Sequence, residues 1–347
     1  MRILIITDAW HPQVNGVVRT YEHLSEELIK SGHDVKIIGP HDFPFRMPMP
    51  GYREIELALF PGRKLNRMIT AFAPDSIHIA TEGPLGMAAQ KWCLRHNRRF
   101  STAFHTMFPD YFAKRVARHL KFLYRPARHY GIGMVRKFHN RACVVITTTP
   151  TINRELESWG VTAPLVAIPR GVPVDLFTPE GPHAFNDMGK RVALYVGRVA
   201  IEKNIEDFLN MEWDGLKIVI GHGPALVGLR ASFPDVMFAG KKIGADLASW
   251  YRSADVFVFP SRTDTFGIVL IEALSCGLPV AGYPVAGPQD IIISPLLGAT
   301  DENLNQAVSK ALQATGTKQE RHDFIRQNYT WPVFTRHFIE ALNTHHC

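Results

Sequence analysis

Two carboxylates pose the chemical problem of this 347-residue chain. In SRTDTFGIVLIEALSCGLPV, Ser261 to Val280, Asp264 stands in a turn-like run. Glu272 follows eight residues later, inside an otherwise apolar segment from Ile268 to Leu274. A carboxylate buried without donors is costly. Glu272 therefore needs an arginine partner, a wet helix edge, or a ligand with paired hydroxyls such as a ribose, from which one carboxylate can accept two hydrogen bonds. Upstream, GRVAIEKN places Arg198 just after the run VALYVG and Lys203 five residues further on. Two cations at the end of a strand, with a helix about to begin, suit a diphosphate. Solvated loop cations are the plainer reading. A helix starting near Phe266 and Gly267 offers free N–H groups to hydroxyls or phosphate oxygens, and the glycine lets a ligand come close.

Such residues must be held at strand ends, and the chain supplies the strands. RILIIT, DVKIIG, REIELA, DSIHIA, RFSTAF and CVVITT read as strands in the first half, and VALYVG, LKIVIG, DVMFAG, DVFVFP and LPVAG in the second. They are apolar on both faces, as parallel strands covered by helices should be. Helical patterns lie between them, such as Tyr21 to Lys30, with Tyr21, Leu24 and Leu28 on one stripe and Gly32 just beyond. The alternation implies an α/β fold of two Rossmann-like, doubly wound parallel-sheet domains facing a cleft, with ligands at the carboxyl ends of the strands. The expected organisation is a first domain at 1–168, a proline-rich linker at 169–190, a second domain at 191–328, and a C-terminal helical segment at 329–347 that packs back on the first domain.

Composition sets the class. Hydrophobic residues make up 46% of the chain and charged residues 20%, as in a soluble globular protein. No run approaches the roughly 18 apolar residues that span a bilayer. The opening MRILIITDAW meets Asp8 too soon for a signal peptide and reads as a buried strand. Cys93, Cys143, Cys276 and Cys347 are scattered, without the spacing of a metal site or disulfide pair, which predicts a reducing, cytoplasmic setting.

SRTDTFGIVLIEALSCGLPV with GRVAIEKN upstream resembles the donor half of the retaining GT-B glycosyltransferases of family four. TDAWHPQVNGVVRT and FHTMFPDY resemble the acceptor half, so the likeness spans nearly the whole chain. It implies transfer of a hexosyl group from a UDP- or GDP-linked sugar to a hydroxyl, with retention at the anomeric carbon. Arg198 and Lys203 would hold the diphosphate and neutralise the leaving group. Glu272 would take the ribose hydroxyls, and Asp264 with the N–H groups of Phe266 and Gly267 would grip the transferred sugar. Lys242 and Ile243 would lie near the base, Gly16 would allow close approach of phosphate or acceptor, and His105 would contact the donor sugar near the reacting carbon. The family usually has Glu where Asp264 stands and a second glycine where Asn15 stands. No Asp-x-Asp occurs, so neither a metal nor any other cofactor is expected, and protein cations take the metal's place.

The net charge of +7 is local. Ten Lys or Arg and no acid lie between Phe112 and Arg154; the remainder carries 29 basic against 32 acidic groups. Wound as one helix, 112–125 sets Phe112, Val116, Leu120 and Leu123 opposite Lys114, Arg118, Lys121 and Arg125, with Arg115 adjoining. A basic amphipathic helix suits an anionic membrane surface, though the same stripe could face a core. No nucleic-acid motif accompanies the charge, so nucleic acid is not an expected partner. TDAWHPQVNGVVRT and HIATEGPLG resemble bacterial lipid glycosyltransferases, including those acting on diacylglycerol. The expectation is a peripheral enzyme at the inner face of the cell membrane, acting on a membrane lipid. The alternatives are a cell-envelope or polysaccharide glycan as acceptor, or a sugar-nucleotide-binding protein without turnover.

Overall fold

The computed structural model describes residues 1–13, 15–49, 52–117, 121–185 and 189–347, with main chain alone at 49, 52–55, 111, 114, 115 and 121. Two compact units divide the chain. The first comprises Met1–Pro169 with Phe334–Cys347, and the second Arg170–Val333.

In the first unit, strands β1 to β8 span Arg2–Ile6, Asp34–Ile38, Arg46–Met49, Tyr52–Ala58, Ser76–Ile79, Ser101–Ala103, Val145–Thr147 and Leu165–Ala167. Helices α1 to α6 span Gly16–Lys30, Gly62–Phe72, Pro84–Arg95, Phe108–Val116, Tyr124–His139 and Pro150–Ser158. Six strands form a parallel sheet in the order β2-β1-β5-β6-β7-β8. The run REIELA lies outside it: as part of β4 it pairs antiparallel with β3 in a separate two-stranded sheet. Its charges alternate with apolar residues, the pattern of a strand with one wet face rather than two covered ones.

Helix α1 shows how the local sequence builds these layers. The Asn15 side chain caps it, accepting from the N–H groups of Val17 and Val18 at 3.0 Å each. Gly32, at φ 81°, turns the chain away just past its end. Val18, Tyr21, Leu24 and Leu28 are buried on one face. Each such apolar side chain contributes about 1.5–3 kcal/mol against ~1 kcal/mol for the cap, so the stripe decides that the helix docks and the cap decides where it starts.

The second unit carries β9 to β14 at Val192–Val196, Leu216–Ile220, Met237–Gly240, Val256–Phe259, Val280–Gly282 and Gly298–Thr300. Helices α7 to α13 span Ile205–Asn210, Leu226–Ser232, Gly244–Arg252, Ile268–Ser275, Pro288–Ile291, Leu304–Leu312 and Lys318–Asn328, and α14, Trp331–Thr344, belongs from Phe334 onward to the first unit. Its parallel sheet runs β11-β10-β9-β12-β13-β14. Apolar cores cover both sheet faces, one gathered around Leu194, Phe257 and Leu274, the other around Tyr195, Phe208 and Val258. The segment expected as a linker is packed at its start, since Val172 and Phe177 are buried in the first of those cores.

Two further expectations need correction. The stretch 112–125 is not one helix. Helix α4 ends at Val116, a single 3-10 turn covers Lys121–Leu123, and α5 begins at Tyr124; Arg118 lies outside the described residues. Pro126 stands in the first turn of α5, where its ring is tolerated. Ala113 of α4 and Ala117 just past its end are buried, while Val116 is exposed. The cysteines are not all unpaired either. Cys143 and Cys347 form a disulfide with Cα atoms 6.0 Å apart, leaving Cys93 and Cys276 as buried thiols. A separation of 204 residues has no signature in spacing, so the ground for a reducing compartment falls away. Denatured without reductant, the protein should titrate two thiols rather than four, and reduction should lower its stability by about 2–5 kcal/mol. Four reactive thiols would exclude the bond.

Candidate functional site

In an open parallel sheet, the crevice for ligands opens where the strand order reverses, outside the carboxyl ends. In the second unit that point lies between β9 and β12. The loop after β9 carries Arg198 and Lys203, and the loop after β12 carries Asp264. The two loops are tied together. The Lys203 ammonium is ion-paired with the Asp264 carboxylate, and the Thr263 hydroxyl donates to the Glu202 carbonyl at 3.2 Å. Arg198 sits 3.7 Å from Glu202 and is half exposed. Tyr195, at the end of β9, donates its hydroxyl to the Arg198 carbonyl at 2.8 Å. Burial, reinforced by the negative charges of Asp264 and Glu202, pushes the Tyr195 phenol up, so it stays a donor. Arg262 stacks over the Tyr283 ring with its guanidinium carbon 3.4 Å from the centroid. The Ser261 hydroxyl is buried and has no hydrogen-bond partner among the described residues.

Helix α10 opens from this loop. Gly267 precedes it at φ 83°, a left-handed conformation that favours glycine, and no side chain caps the first turn. Glu272 lies just over one turn in and is 7% exposed. The Tyr251 hydroxyl of α9, itself fully buried, donates to its Oε2 at 2.9 Å. Burial and then the charge of Glu272 push the Tyr251 phenol well up. Lys242 pairs with Asp246 at 3.2 Å and lies 5.2 Å from the Trp250 ring centroid, beside an exposed Ile243.

Glycines let these loops close. A Cβ on Gly221 would stand 1.8 Å from the Gly197 carbonyl oxygen, and one on Gly223 would stand 2.2 Å from that of Val199. The loop after β10 thus rests directly on the backbone flanking Arg198.

In the first unit the order reverses between β1 and β5. Asp8, following β1, spans that point. Its carboxylate accepts from Thr81 Oγ1 at 3.0 Å and from the N–H groups of Leu85 at 2.8 Å and Gly86 at 3.1 Å. Burial raises its pKa, and the same three donors oppose the rise. A Cβ on Gly83 would come within 2.4 Å of the Asp8 carboxyl carbon, so the glycine in TEGPLG is a packing requirement. Gly16, first residue of α1, has open space where a Cβ would stand. Asn15 fills the family's second glycine position as the helix cap. His105 follows β6, with Nε2 2.9 Å from the Tyr21 hydroxyl.

Of the residues singled out from sequence, Arg198, Lys203, Asp264, Phe266, Gly267 and Glu272 gather on neighbouring loops and the helix of the second unit. Lys242 and Ile243 follow β11 in that unit. Gly16 and His105 belong to the first. Arg125 is exposed on α5; the side chains of Lys114, Arg115 and Lys121 lie outside the described residues. The sequence assigns no site role to Tyr195 or Tyr251, and it places Tyr21 only on the apolar stripe of α1. For Tyr195 a signal existed, since a tyrosine inside a buried aliphatic strand must find a partner for its hydroxyl. Tyr251→Phe should remove the donor held by Glu272 and cost about 1–3 kcal/mol of stability, read as a lower urea midpoint at unchanged slope. An unaltered midpoint would show that Glu272 does not depend on that bond.

Residues 14–176 match the domain described as Glycosyltransferase Family 4, and residues 190–314 that described as Glycosyl transferases group 1. The chain is 27% identical over 326 residues to a GDP-mannose-dependent alpha-mannosyltransferase of Mycobacterium tuberculosis, covering 84% of this chain and 81% of the relative. It is 26% identical over 361 residues to an alpha-monoglucosyldiacylglycerol synthase of Streptococcus pneumoniae, covering 92% and 80%. The fold superposes on a sucrose-phosphate synthase from Thermosynechococcus elongatus with a TM-score of 0.75 at 19% identity, over 99% of both chains. With two parallel-sheet Rossmann-like halves, each matched by its own domain, the chain belongs to the GT-B glycosyltransferases of family 4 and group 1.

Proposed function

We propose that the protein is a retaining hexosyltransferase that moves a sugar from a nucleoside diphosphate to a hydroxyl of a membrane lipid of the diacylglycerol type. The observation that carries the donor half is the Lys203–Asp264 pair between the two loops flanking the β9/β12 reversal. Breaking the glycosidic bond builds negative charge on the departing diphosphate. Arg198 and Lys203 meet that charge from positions already held, Arg198 through the Tyr195 brace and Lys203 through Asp264, so little reorganisation is needed. Glu272, just over one turn into α10, accepts the ribose hydroxyls, as one carboxylate can accept from two. Asp264 and the first N–H groups of α10 hold the sugar, and His105 supplies a further contact to it. Proton transfer from the acceptor goes to the leaving phosphate on the same face, as in related enzymes, and no metal takes part.

The lipid acceptor is supported by the diacylglycerol-directed relative and by the surface of α4 and α5. Phe122 is 73% and Tyr130 62% exposed, with Val116 and Met134 also open. Phe112 stacks between Phe108 and Tyr130 with centroids 5.7 and 6.1 Å away. Exposed aromatics beside Arg125 combine apolar insertion with attraction to anionic headgroups. Arg128 is not part of that charge, because Asp110 at 2.8 Å and Glu155 at 3.4 Å neutralise it.

Incubation with labelled UDP- and GDP-sugars and diacylglycerol-containing vesicles should move label into the lipid phase, with EDTA present. Lys203→Ala and Glu272→Ala should each lower the rate at least ~100-fold, as loss of one preorganised donor does; near-normal turnover in both would refute the donor assignment. Sedimentation with anionic vesicles should weaken as salt rises and in the Phe122→Ser/Arg125→Gln variant. Indifference to lipid charge, to salt and to the variant would remove the membrane surface from the proposal.

A further inference from the structure

The connections leading into β6 and β7 flank a cavity of about 380 Å³ at the amino ends of those strands. This is the end of the sheet opposite Asp8 and His105, which follow their strands. The Cys143 N–H donates to the Phe100 carbonyl at 3.0 Å, so the two connections run side by side. Arg98 and Arg99 come from the first and Arg141 from the second, and no acidic residue lines the space. Its size falls at the lower end of small-molecule sites, which run from roughly 300 to 1,000 Å³.

Unbalanced charge sets this cavity apart. Between Gly83 and Arg154 the single acid is Asp110, and Asp110 is paired with Arg128. Arg98 donates to the main-chain carbonyls of Pro74 and Asp75, and Arg99 to that of His345 at 2.8 Å. A carbonyl fixes a guanidinium without neutralising it, and each of the two still has most of its five N–H donors to spend. The Asp75 carboxylate accepts from the Arg2 N–H at 2.7 Å. Arg141 is exposed and makes no side-chain hydrogen bond or ion pair among the described residues. Cys93 brings no negative charge to the wall, since burial pushes its thiol up to about 12. Solvated arginines are ordinary on a convex surface. Three gathered about one hollow repel one another, and an anion entering it removes that cost.

The walls are also held. The Cys143–Cys347 disulfide and the Arg99 bond to His345 fasten the residues after α14 beside the cavity, which lowers the ordering entropy that a ligand must overcome.

We propose that this cavity is a binding site for a phosphoryl group, held by Arg98, Arg99 and Arg141. A guanidinium fork meets two phosphate oxygens at once, and three cations suit the dianion of a phosphomonoester better than a single carboxylate. Leu94, 42% exposed at the rim, offers an apolar wall to the organic remainder. The site stands independently of the donor loops, and so does its test.

Calorimetric titration of glycerol 3-phosphate into full-length Lys203→Ala protein, whose diphosphate loops are disabled, should show one-to-one binding. Arg141→Gln in that background should weaken it about tenfold or more, as loss of a charge-assisted hydrogen bond does. Arg141→Lys should restore only part, because an ammonium lacks the fork. Arg141 holds no other group, so an unchanged urea midpoint should show that each variant is folded. Where Lys203→Ala fails to fold, the otherwise unaltered protein should lose one heat on Arg141→Gln and keep any heat from the second unit. Sedimentation with phosphatidate vesicles separates the two sources of the phosphoryl group. Retention that falls with Arg141→Gln assigns a lipid headgroup, and retention indifferent to it, with the titration heat lost, assigns a soluble phosphomonoester. No heat at millimolar glycerol 3-phosphate, equal affinity in Arg141→Gln, or succinate bound as tightly overturns the proposal.

Discussion

A carboxylate taken out of water must be met by donors, and three such requirements organise the carboxyl ends of the two sheets. Asp8 is met by a hydroxyl and two N–H groups opening α3, Asp264 by the Lys203 ammonium, and Glu272 by the Tyr251 hydroxyl. Each solution fixes a different piece of backbone. Asp8 holds β1 to the start of α3 across the strand reversal, so it stabilises a crevice wall. Lys203 and Asp264 bind two loops to one another. Tyr251 anchors α10 through α9. The unpaired alternatives are expensive enough, at several kcal/mol per buried ion, that these loops have few other places to go.

Close backbone approach completes the arrangement, and it explains why glycine recurs near the site. Gly287 would set a Cβ 2.2 Å from the Phe266 carbonyl oxygen, at φ 93°. Gly221 and Gly223 meet the loop after β9 in the same way. Contacts of this kind leave no room for a side chain, so the loops rest on main chain whose position the strands dictate. The sheet thus adds rigidity to that supplied by the side-chain ties, which suits loops that would present charge without reorganising.

What could be read in advance follows from the range of the interaction. Arg198, Lys203, Asp264 and Glu272 were legible because strand ends, a glycine and an odd carboxylate are local signals. Helix α1 was legible for the same reason, with its stripe and its terminal glycine. Tyr251 was not, since its bond to Glu272 spans two helices and an intervening strand. Nor was the Cys143–Cys347 pair, which joins residues brought together only by the folded first unit. Strand β8, three residues long, is too short to show a period, and β4 misled because a charged, alternating strand was grouped with apolar ones. The helix through 112–125 failed because its hydrophobic period alone does not fix where a helix ends: α4 stops at Val116 and α5 starts at Tyr124.

The resting charges of the donor loops bear on how the proposed reaction begins. Lys203 is balanced by Asp264, and Arg198 lies near Glu202, so the four groups sum to no net charge. A diphosphate entering there does not find bare cations; it competes with two carboxylates already in place. Those carboxylates keep each cation near its working position in the absence of ligand, which lowers the entropy lost on binding. They also subtract from the attraction to a diphosphate, in the intact donor and in the departing group alike. What attraction remains grows with the charge it meets, so in the proposed reaction the departing diphosphate is held more strongly than the bound donor, and only that excess speeds transfer.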